Sequence, residues 1–390
     1  MKVALLKGNR YNPWHLRPYL PLQDEYSFTS FRAISEIQRH MDLQDDGSIP
    51  FPVEDIYFDT ESGNPLSKRG YQALERYAKR EPRILPFAER LKRFDVLHTW
   101  ELFADWSEQA AIAKERYGIP LVTMVWDNIV FNMENTPRRR AIKERVLRAT
   151  DLFLVHTQRS RRTLILEGAD PERIITFPAA ADTDTFAPGL GVRSKFGWPD
   201  NELVILYVGW LIARKGVDVL LCALRELAND PTLRAVPFRL VLAGSPAHKP
   251  RIESIIARLG IQARVQFVGP LRYSEMPELF RCADIFVLPS IATPDWQEQF
   301  GMSLIEAMAS GLPCVSTHSG AIPEVMGDAG VLCQPADFVS LHHALRDLLL
   351  NEARRTHLGK AARARAVEEF GLAPFTRTMR KAYRQVLSRD

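Results

Sequence analysis

The chain is poor in the residue types that build covalent or metal frameworks. Four cysteines occur in 390 residues, and no two stand as a Cys-x-x-Cys pair. Cys222, Cys282, Cys314 and Cys333 each sit among apolar neighbours, which predicts buried reduced thiols rather than a disulfide or thiolate-metal scaffold. No His, Cys or carboxylate cluster has ligand spacing, and His342-His343 lies in a helical pattern with no acidic partner in register. No apolar run approaches the ~18–20 residues of a membrane span. The start, MKVALLKGNR, turns polar too soon for a signal peptide, so the expected location is the cytoplasm. Internal repeats and low-complexity tracts are lacking. So is a large excess of either charge: residues 1–190 hold 27 basic against 27 acidic side chains, and residues 191–390 hold 24 against 20. No basic sheet interleaved with aromatics accompanies the charge, which excludes a nucleic-acid platform.

What is present is the pattern of a two-domain α/β protein. A chain of 390 residues exceeds one ordinary core. Short apolar segments at 2–7, 95–100, 120–126, 151–157 and 173–178 predict strands, with helical patterns between several of them. The turn-rich stretch APGLGVRSKFGWPDN (187–201) predicts a linker. A second set of strand-like segments follows at 202–209, 238–244, 264–269, 283–290, 312–317 and 329–334. Alternation of this kind predicts parallel sheets with helices on both faces, and ligands beyond the carboxyl ends of the strands. The expected division is 1–187 and 188–371, with an amphipathic helix over 372–390 crossing back to the first domain.

Charge is locally concentrated. Nine basic residues fall between Pro137 and Arg162 against Glu144 and Asp151, and nine fall between Lys68 and Arg93 against three acidic ones. Solvated helix faces explain such runs. Attraction to anionic lipid head groups or to an anionic acceptor is the sharper reading.

The most informative segment is EQFGMSLIEAMASGLP, residues 298–313. Leu304, Ile305 and Met308 have helical spacing, Gly311 suits a left-handed cap, and Pro313 cannot continue the turn. Phe300 to Ser303 are expected in the first turn, whose unpaired N–H groups suit a diphosphate. Glu298 then falls in the loop before the helix and Glu306 inside it. With PS at 289–290 before and GAIPEV at 320–325 after, this segment resembles the Glu-x7-Glu signature of family 4 retaining glycosyltransferases.

The resemblance implies the GT-B fold, two Rossmann-like parallel-sheet domains facing across a cleft. The first would hold the acceptor and the second a nucleotide-diphospho sugar, UDP- or GDP-linked, with no cofactor and no metal. Glu298 would face the donor sugar and Glu306 the ribose hydroxyls. Phe300, Gly301 and Met302 would meet the diphosphate, and Gly209, Gly244 and Gly269 would allow close backbone approach. YVGWLIARKG (207–216) is similar to the family's cationic clamp, with Lys215 at the lysine position, Trp210 where arginine is usual, and Arg214 as the candidate to supply a guanidinium. Asp127 is a candidate carboxylate for sugar hydroxyls. Gly8, His98, Trp126 and Asn128 are candidates on the acceptor side. Gly8 stands alone where the family carries a glycine pair, and Trp126 or Asp127 where it often carries a histidine. Asp182 and Asp184 resemble a structural turn after the last strand of the first domain, not a metal motif. The implied activity is transfer of a sugar to a glycan, lipid-linked or small-molecule hydroxyl. The alternatives are a catalytically silent nucleotide-sugar-binding protein on this fold and a nucleotide-sugar epimerase.

Overall fold

A computed structural model describes residues 1–8, 13–34, 51–59, 81–244, 249–269 and 271–388. The chain forms two compact units, Met1–Phe177 with Phe375–Asp390, and Pro178–Pro374. The break falls about ten residues before the expected 187/188, because Phe186 packs edge-on against Tyr273 and Phe280 in the core of the second unit.

Unit 1 is built on seven strands: β1 (Lys2–Gly8), β2 (Ser27–Ile34), β3 (Val53–Tyr57), β4 (Val96–Trp100), β5 (Leu121–Val125), β6 (Leu152–Val155) and β7 (Ile174–Thr176). They pair in parallel in the order β3-β2-β1-β4-β5-β6-β7. Strands β4, β5 and β6 are buried on both faces, as a parallel sheet covered by helices requires. Two strands escaped sequence reasoning. SFTSFRAI and VEDIY alternate apolar with polar residues and lie toward the edge, where Glu54 and Asp55 discourage pairing with another chain. The covering helices are α1 (Asp105–Tyr117), α2 (Pro137–Ala149) and α3 (Gln158–Leu166). Thr136 and Thr157 cap α2 and α3 by accepting from the N–H three residues on.

Unit 2 has six strands: β8 (Leu203–Val208), β9 (Phe238–Ala243), β10 (Val265–Val268), β11 (Ile285–Leu288), β12 (Cys314–Thr317) and β13 (Val331–Cys333). Their order is β10-β9-β8-β11-β12-β13, all parallel. Helices α4 (Val217–Asn229), α5 (Lys249–Leu259), α6 (Met276–Arg281), α7 (Met302–Ala309), α8 (Ile322–Met326), α9 (Phe338–Leu350) and α10 (Glu352–Phe370) connect and cover them. Helix α11 (Leu372–Leu387) carries the chain back into unit 1, where Tyr383 is fully buried. All four cysteines are unpaired. Among the described residues no helix is long and apolar enough to cross a membrane.

In each sheet the strand order reverses at one place, between β1 and β4 in unit 1 and between β8 and β11 in unit 2. The crevice outside the carboxyl ends of such strands is where open α/β sheets bind ligands.

The basic stretch around α2 is mostly neutralised within unit 1. Arg138 pairs with Asp105, Arg139 with Glu81 at 2.9 Å, and Arg140 with Glu134 at 3.3 Å. Lys143 pairs with Glu167 at 2.8 Å and Arg145 with Glu115 at 3.2 Å. Most of these partners lie more than twenty positions away in sequence, so the charge run looked uncompensated only in one dimension. In the other basic stretch residues 68–80 lie outside the described residues, while Arg90 and Arg93 both pair with Glu54.

Gly8 is fixed by packing. It has φ +70°, and a Cβ there would stand 2.3 Å from the Trp106 ring. Gly118 has a similar φ of +72° but open space around it. Gly118→Ala is therefore expected to cost only the left-handed backbone penalty, ~1–2 kcal/mol, and Gly8→Ala a further ~1–3 kcal/mol of overpacking. Thermal midpoints of the two variants check this. Equal losses would mean that Trp106 yields freely.

Candidate active site

The carboxyl ends of β8 and β11 bring together groups from three separated segments. After β8 the chain turns through Gly209, Trp210 and the short helical turn Ala213–Lys215. Gly216 follows at φ +73°, so close to the sheet that a Cβ would stand 1.8 Å from the Pro289 carbonyl oxygen. That approach sets Lys215 beside the segment after β11. The Lys215 Nζ lies 2.6 Å from Glu298 Oε2, and Ser290 Oγ donates to the same oxygen at 2.7 Å. Glu298 is buried, and its carbonyl accepts from Ala321 N at 2.9 Å. Gly320, at φ +58°, admits that contact, since a Cβ would stand 2.1 Å from the same carbonyl oxygen.

Arg214 takes a different course. Its guanidinium lies 3.8 Å from the ring centroid of Trp296, which also sits 4.9 Å from Lys215 Nζ. Trp296 belongs to a tight turn in which Thr293 and Trp296 exchange backbone hydrogen bonds. A cation over a tryptophan face gains ~0.5–2 kcal/mol, enough to hold both basic residues on one side of the loop. Trp210 is half-exposed, and its carbonyl accepts from the buried Tyr207 hydroxyl at 2.7 Å.

Helix α7 begins at Met302, two residues later than the expected first turn, because Gly301 sits at φ +82° and caps it without a side-chain hydrogen bond. Phe300 therefore lies in the loop, buried edge-on against Phe370. Leu304, Ile305 and Met308 are fully buried and anchor α7 to the sheet, each contributing about 1.5–3 kcal/mol of burial. Glu306 is buried too, and the Tyr273 hydroxyl donates to it. Burial pushes its carboxyl up to about 7, with the tyrosine hydrogen bond pulling the other way. Gly244 is needed where it stands, since a Cβ would lie 1.8 Å from the Gly209 carbonyl oxygen. At Gly269 a Cβ would meet nothing within 4 Å, so no neighbour among the described residues demands a small residue there. Asp182 accepts from Thr185 N and Oγ1 at 3.0 and 2.7 Å and is spent on closing a turn.

In unit 1 the β1/β4 end gathers Lys7, Trp100, Glu101, Trp126 and Asp127. The Lys7 Nζ lies 4.7 Å from the Trp100 ring centroid and 4.3 Å from that of Trp126. Glu101 adopts φ +67° and accepts from the N–H groups of Trp126 and Asp127 at 3.1 and 3.4 Å. Burial pushes the Lys7 amine down to about 7, opposed by Glu101, and pushes the Glu101 carboxyl up to about 8, aided by Asp127. Asp127 serves its own loop, accepting from Ile129 N at 3.2 Å and Asn132 Nδ2 at 3.1 Å, and burial raises it above the usual carboxylate range. His98 is fully buried, stacked on Trp100 and 2.7 Å from the Tyr383 hydroxyl, so it fastens α11 to the sheet. Asn128 is also buried.

Sequence reasoning thus missed Ser290 and Tyr273 as carboxylate partners, Trp296 as a cation platform, and both Lys7 and Glu101. A lysine closing an otherwise apolar strand was the available signal for Lys7. Glu101 gave none, since nothing in a sequence announces a left-handed glutamate. Among the described residues no three His, Cys, Asp or Glu side chains gather as a metal set.

Comparison with known proteins gives a consistent picture. Residues 192–365 match the model for glycosyl transferases group 1, and residues 48–185 match that for glycosyltransferase family 4. A D-inositol 3-phosphate glycosyltransferase of Kineococcus radiotolerans is 31% identical over 76% of this chain and 72% of its own. One of Stackebrandtia nassauensis is 31% identical over 69% of this chain, which spans 63% of that relative's length. Among solved structures, Anabaena Alr3699/HepE in complex with UDP and glucose has a TM-score of 0.76 at 19% identity, covering 99% of this chain and all of the other. The sucrose-phosphate synthase of Thermosynechococcus elongatus has a TM-score of 0.76 at 18% identity with both chains fully covered. At these identities the likeness is one of fold, and the fold is GT-B.

The buried Glu306 makes a checkable demand. Its folded-state value of about 7 lies above the ordinary 4.5, so the folded protein binds the extra proton between those values. Stability is then lost as pH rises from about 4.5 to about 7, by at most ~3 kcal/mol. Glu306→Gln mimics the protonated form. Without ligand it should raise the thermal midpoint at pH 8 and leave it unchanged at pH 5. A variant less stable at both would show that the carboxylate is not strained by burial.

Proposed function

The chain belongs to glycosyltransferase family 4, and from that premise we propose that it is a retaining, metal-independent glycosyltransferase using a nucleotide-diphospho sugar. The observation that carries this is the Lys215–Glu298 pair at 2.6 Å, largely buried beside the start of α7, which has no side-chain cap, at the β8/β11 switch point. A cation, a carboxylate and free helix N–H groups at one strand end suit a diphosphate and the sugar attached to it. The neighbours solved with UDP make UDP the first nucleotide to test.

In this reading Lys215 neutralises the diphosphate as the bond from its oxygen to the anomeric carbon breaks and the electron pair passes to phosphate. The N–H groups of Gly301 and Met302 meet the same oxygens. Arg214, held by Trp296, supplies the guanidinium that Trp210 does not. Glu298, oriented by Lys215 and Ser290, accepts from hydroxyls of the donor sugar, and Glu306 with Tyr273 accepts from the ribose. The acceptor, held by unit 1, attacks from the face the diphosphate leaves, and a diphosphate oxygen takes its proton. Positioning and charge stabilisation then supply the catalysis. The acceptor is a small polyhydroxylated molecule, as in the names of the curated relatives. The arginines of α2 support a lipid-surface acceptor less, because ion pairs already occupy them.

Thermal shift with UDP, GDP, ADP and TDP tests the donor site. A nucleotide at 100 times its dissociation constant stabilises by ~2.7 kcal/mol, and UDP is expected to give the largest shift. Incubation with UDP-sugars and no acceptor should give slow hydrolysis that survives EDTA. Sugar interconversion would identify an epimerase instead, and no reaction with any nucleotide sugar a silent binding protein.

The two glutamates should differ in kind. Glu306→Gln is expected to weaken nucleotide binding, and Glu298→Gln to lower turnover with nucleotide affinity kept. Lys215→Met should cost ~2.7–4 kcal/mol of barrier, about 10²–10³ in rate. Unchanged UDP affinity in Glu306→Gln would remove the ribose assignment.

A further inference from the structure

Five buried polar atoms at one end of unit 1 have no hydrogen-bond partner among the described residues: Tyr19 OH, His15 Nδ1, His98 Nε2, Trp100 Nε1 and Trp126 Nε1. Tyr19, His98 and Trp100 are themselves more than nine-tenths buried. The Lys7 ammonium lies over the Trp100 and Trp126 rings, close enough to act on His15 and His98 through space, and enters none of the hydrogen bonds among the described residues. Tyr19 and His98 pack edge-on at 5.8 Å, and His15 meets Trp126 at 5.7 Å. Buried polar groups are nearly always paired, so a concentration of unpaired ones marks a place where something else completes them.

The chemistry of the missing partner follows from the inventory of donors. The two indole N–H groups and the ammonium only donate. Burial holds His15 and His98 to about 3, so both rings are neutral. His98 Nδ1 and the Tyr383 hydroxyl share one hydrogen bond, and each neutral imidazole has a further nitrogen whose role its tautomer sets. The Glu101 carboxyl acts on Lys7 through space alone and already accepts from two backbone N–H groups. The cluster is therefore rich in donors and carries a cation, at the β1/β4 switch point where a parallel sheet offers its ligand crevice. Trp126, Glu101 and His15 are partly exposed, so it opens to the surface of unit 1.

We propose that the Lys7–Trp100–Trp126 cluster is a binding site for a phosphate-type oxyanion, with the Lys7 ammonium as its charge partner and the indole and imidazole N–H groups as its donors. Such an anion would be the phosphate of a phosphorylated polyol acceptor. That last step rests on the function proposed above, whereas the oxyanion site itself stands without it. Lys7 then serves specificity: it selects acceptors that carry the anion and turns away those with hydroxyls alone.

Proton balance supports the reading. Lys7 is pushed down to about 7 and Glu101 up to about 8. Around Lys7 are Glu101 just after β4, Asp127 after β5 acting on Glu101, and the neutral His15, His98 and His156. As pH rises, Lys7 loses its charge and Glu101 gains one, so both changes weaken anion binding.

The experiment is titration of the full-length chain with inorganic phosphate, following tryptophan fluorescence, in the Lys215→Met background so that the cation of unit 2 does not compete. Saturable quenching is expected, weakened at least tenfold by Lys7→Met and unaffected by Lys92→Met, an exposed control. Sulfate, whose charge is constant over this range, should bind at pH 6 and lose at least tenfold by pH 9. Should Lys7→Met fail to fold, Trp126→Leu removes one face of the cage and should weaken binding likewise. Absence of quenching by either anion overturns the site, as does equal binding by the Lys7 variant. Thermal shift by UDP in the otherwise native chain is read separately. Its failure with phosphate binding intact would remove the donor reading and leave this site standing.

Discussion

Unit 2 withdraws two opposite charges from water together, and the arrangement of its strand-end loops follows from that. Lys215 and Glu298 lie 83 positions apart yet meet at 2.6 Å, with Ser290 on the same oxygen. Either charge alone in that place would cost several kcal/mol, so the backbone must hold both at once. Gly216 against the Pro289 carbonyl and Gly320 against the Glu298 carbonyl are the two close approaches that make this geometry possible. A side chain at either glycine would push a loop away and leave a buried charge without its partner.

The two units place their polar groups by the same rule and tune them differently. Each sheet is parallel with its central strands buried on both faces, which leaves the carboxyl ends of the strands, where the order reverses, as the natural location for polar side chains. In unit 2 those side chains satisfy one another: lysine with glutamate, serine with glutamate, tyrosine with glutamate. In unit 1 they do not. Lys7 has aromatic faces and a distant carboxylate for company, and five nearby polar atoms have no partner among the described residues. A paired site is set for a ligand that exchanges partners, whereas an unpaired one is set for a ligand that supplies them.

Surface charge illustrates how tertiary structure changes a sequence argument. The run from Arg138 to Arg145 has the composition of an anion-binding face, and the fold spends it on Asp105, Glu81, Glu134, Glu167 and Glu115. Helix α11 uses its basic residues in the same way, Arg380 and Arg384 both pairing with Glu25. Lys7, a single lysine in an apolar strand, carries less charge and more consequence, because it lies where no described carboxylate reaches it directly.

The sequence by itself determined the parallel α/β class, the six strands of unit 2, the helix that carries Leu304, Glu306 and Met308, and the eight-residue spacing of Glu298 and Glu306. These are periodic or local properties, legible because burial imposes its pattern on neighbours along the chain. It also showed Trp210 and Gly8 as departures from the family pattern. Only the tertiary structure decided what answers them. Arg214 lies on Trp296, Gly8 makes room for Trp106, and Trp126 covers Lys7. Tyr273 and Ser290 became partners of the two glutamates, and His98 became a fastening for Tyr383. Each of these pairs residues from separate strands and loops, and their meeting depends on strand order, which no local spacing encodes. Glu101 is the limiting case, since its left-handed backbone is imposed by the strand end and leaves no trace in the residues beside it.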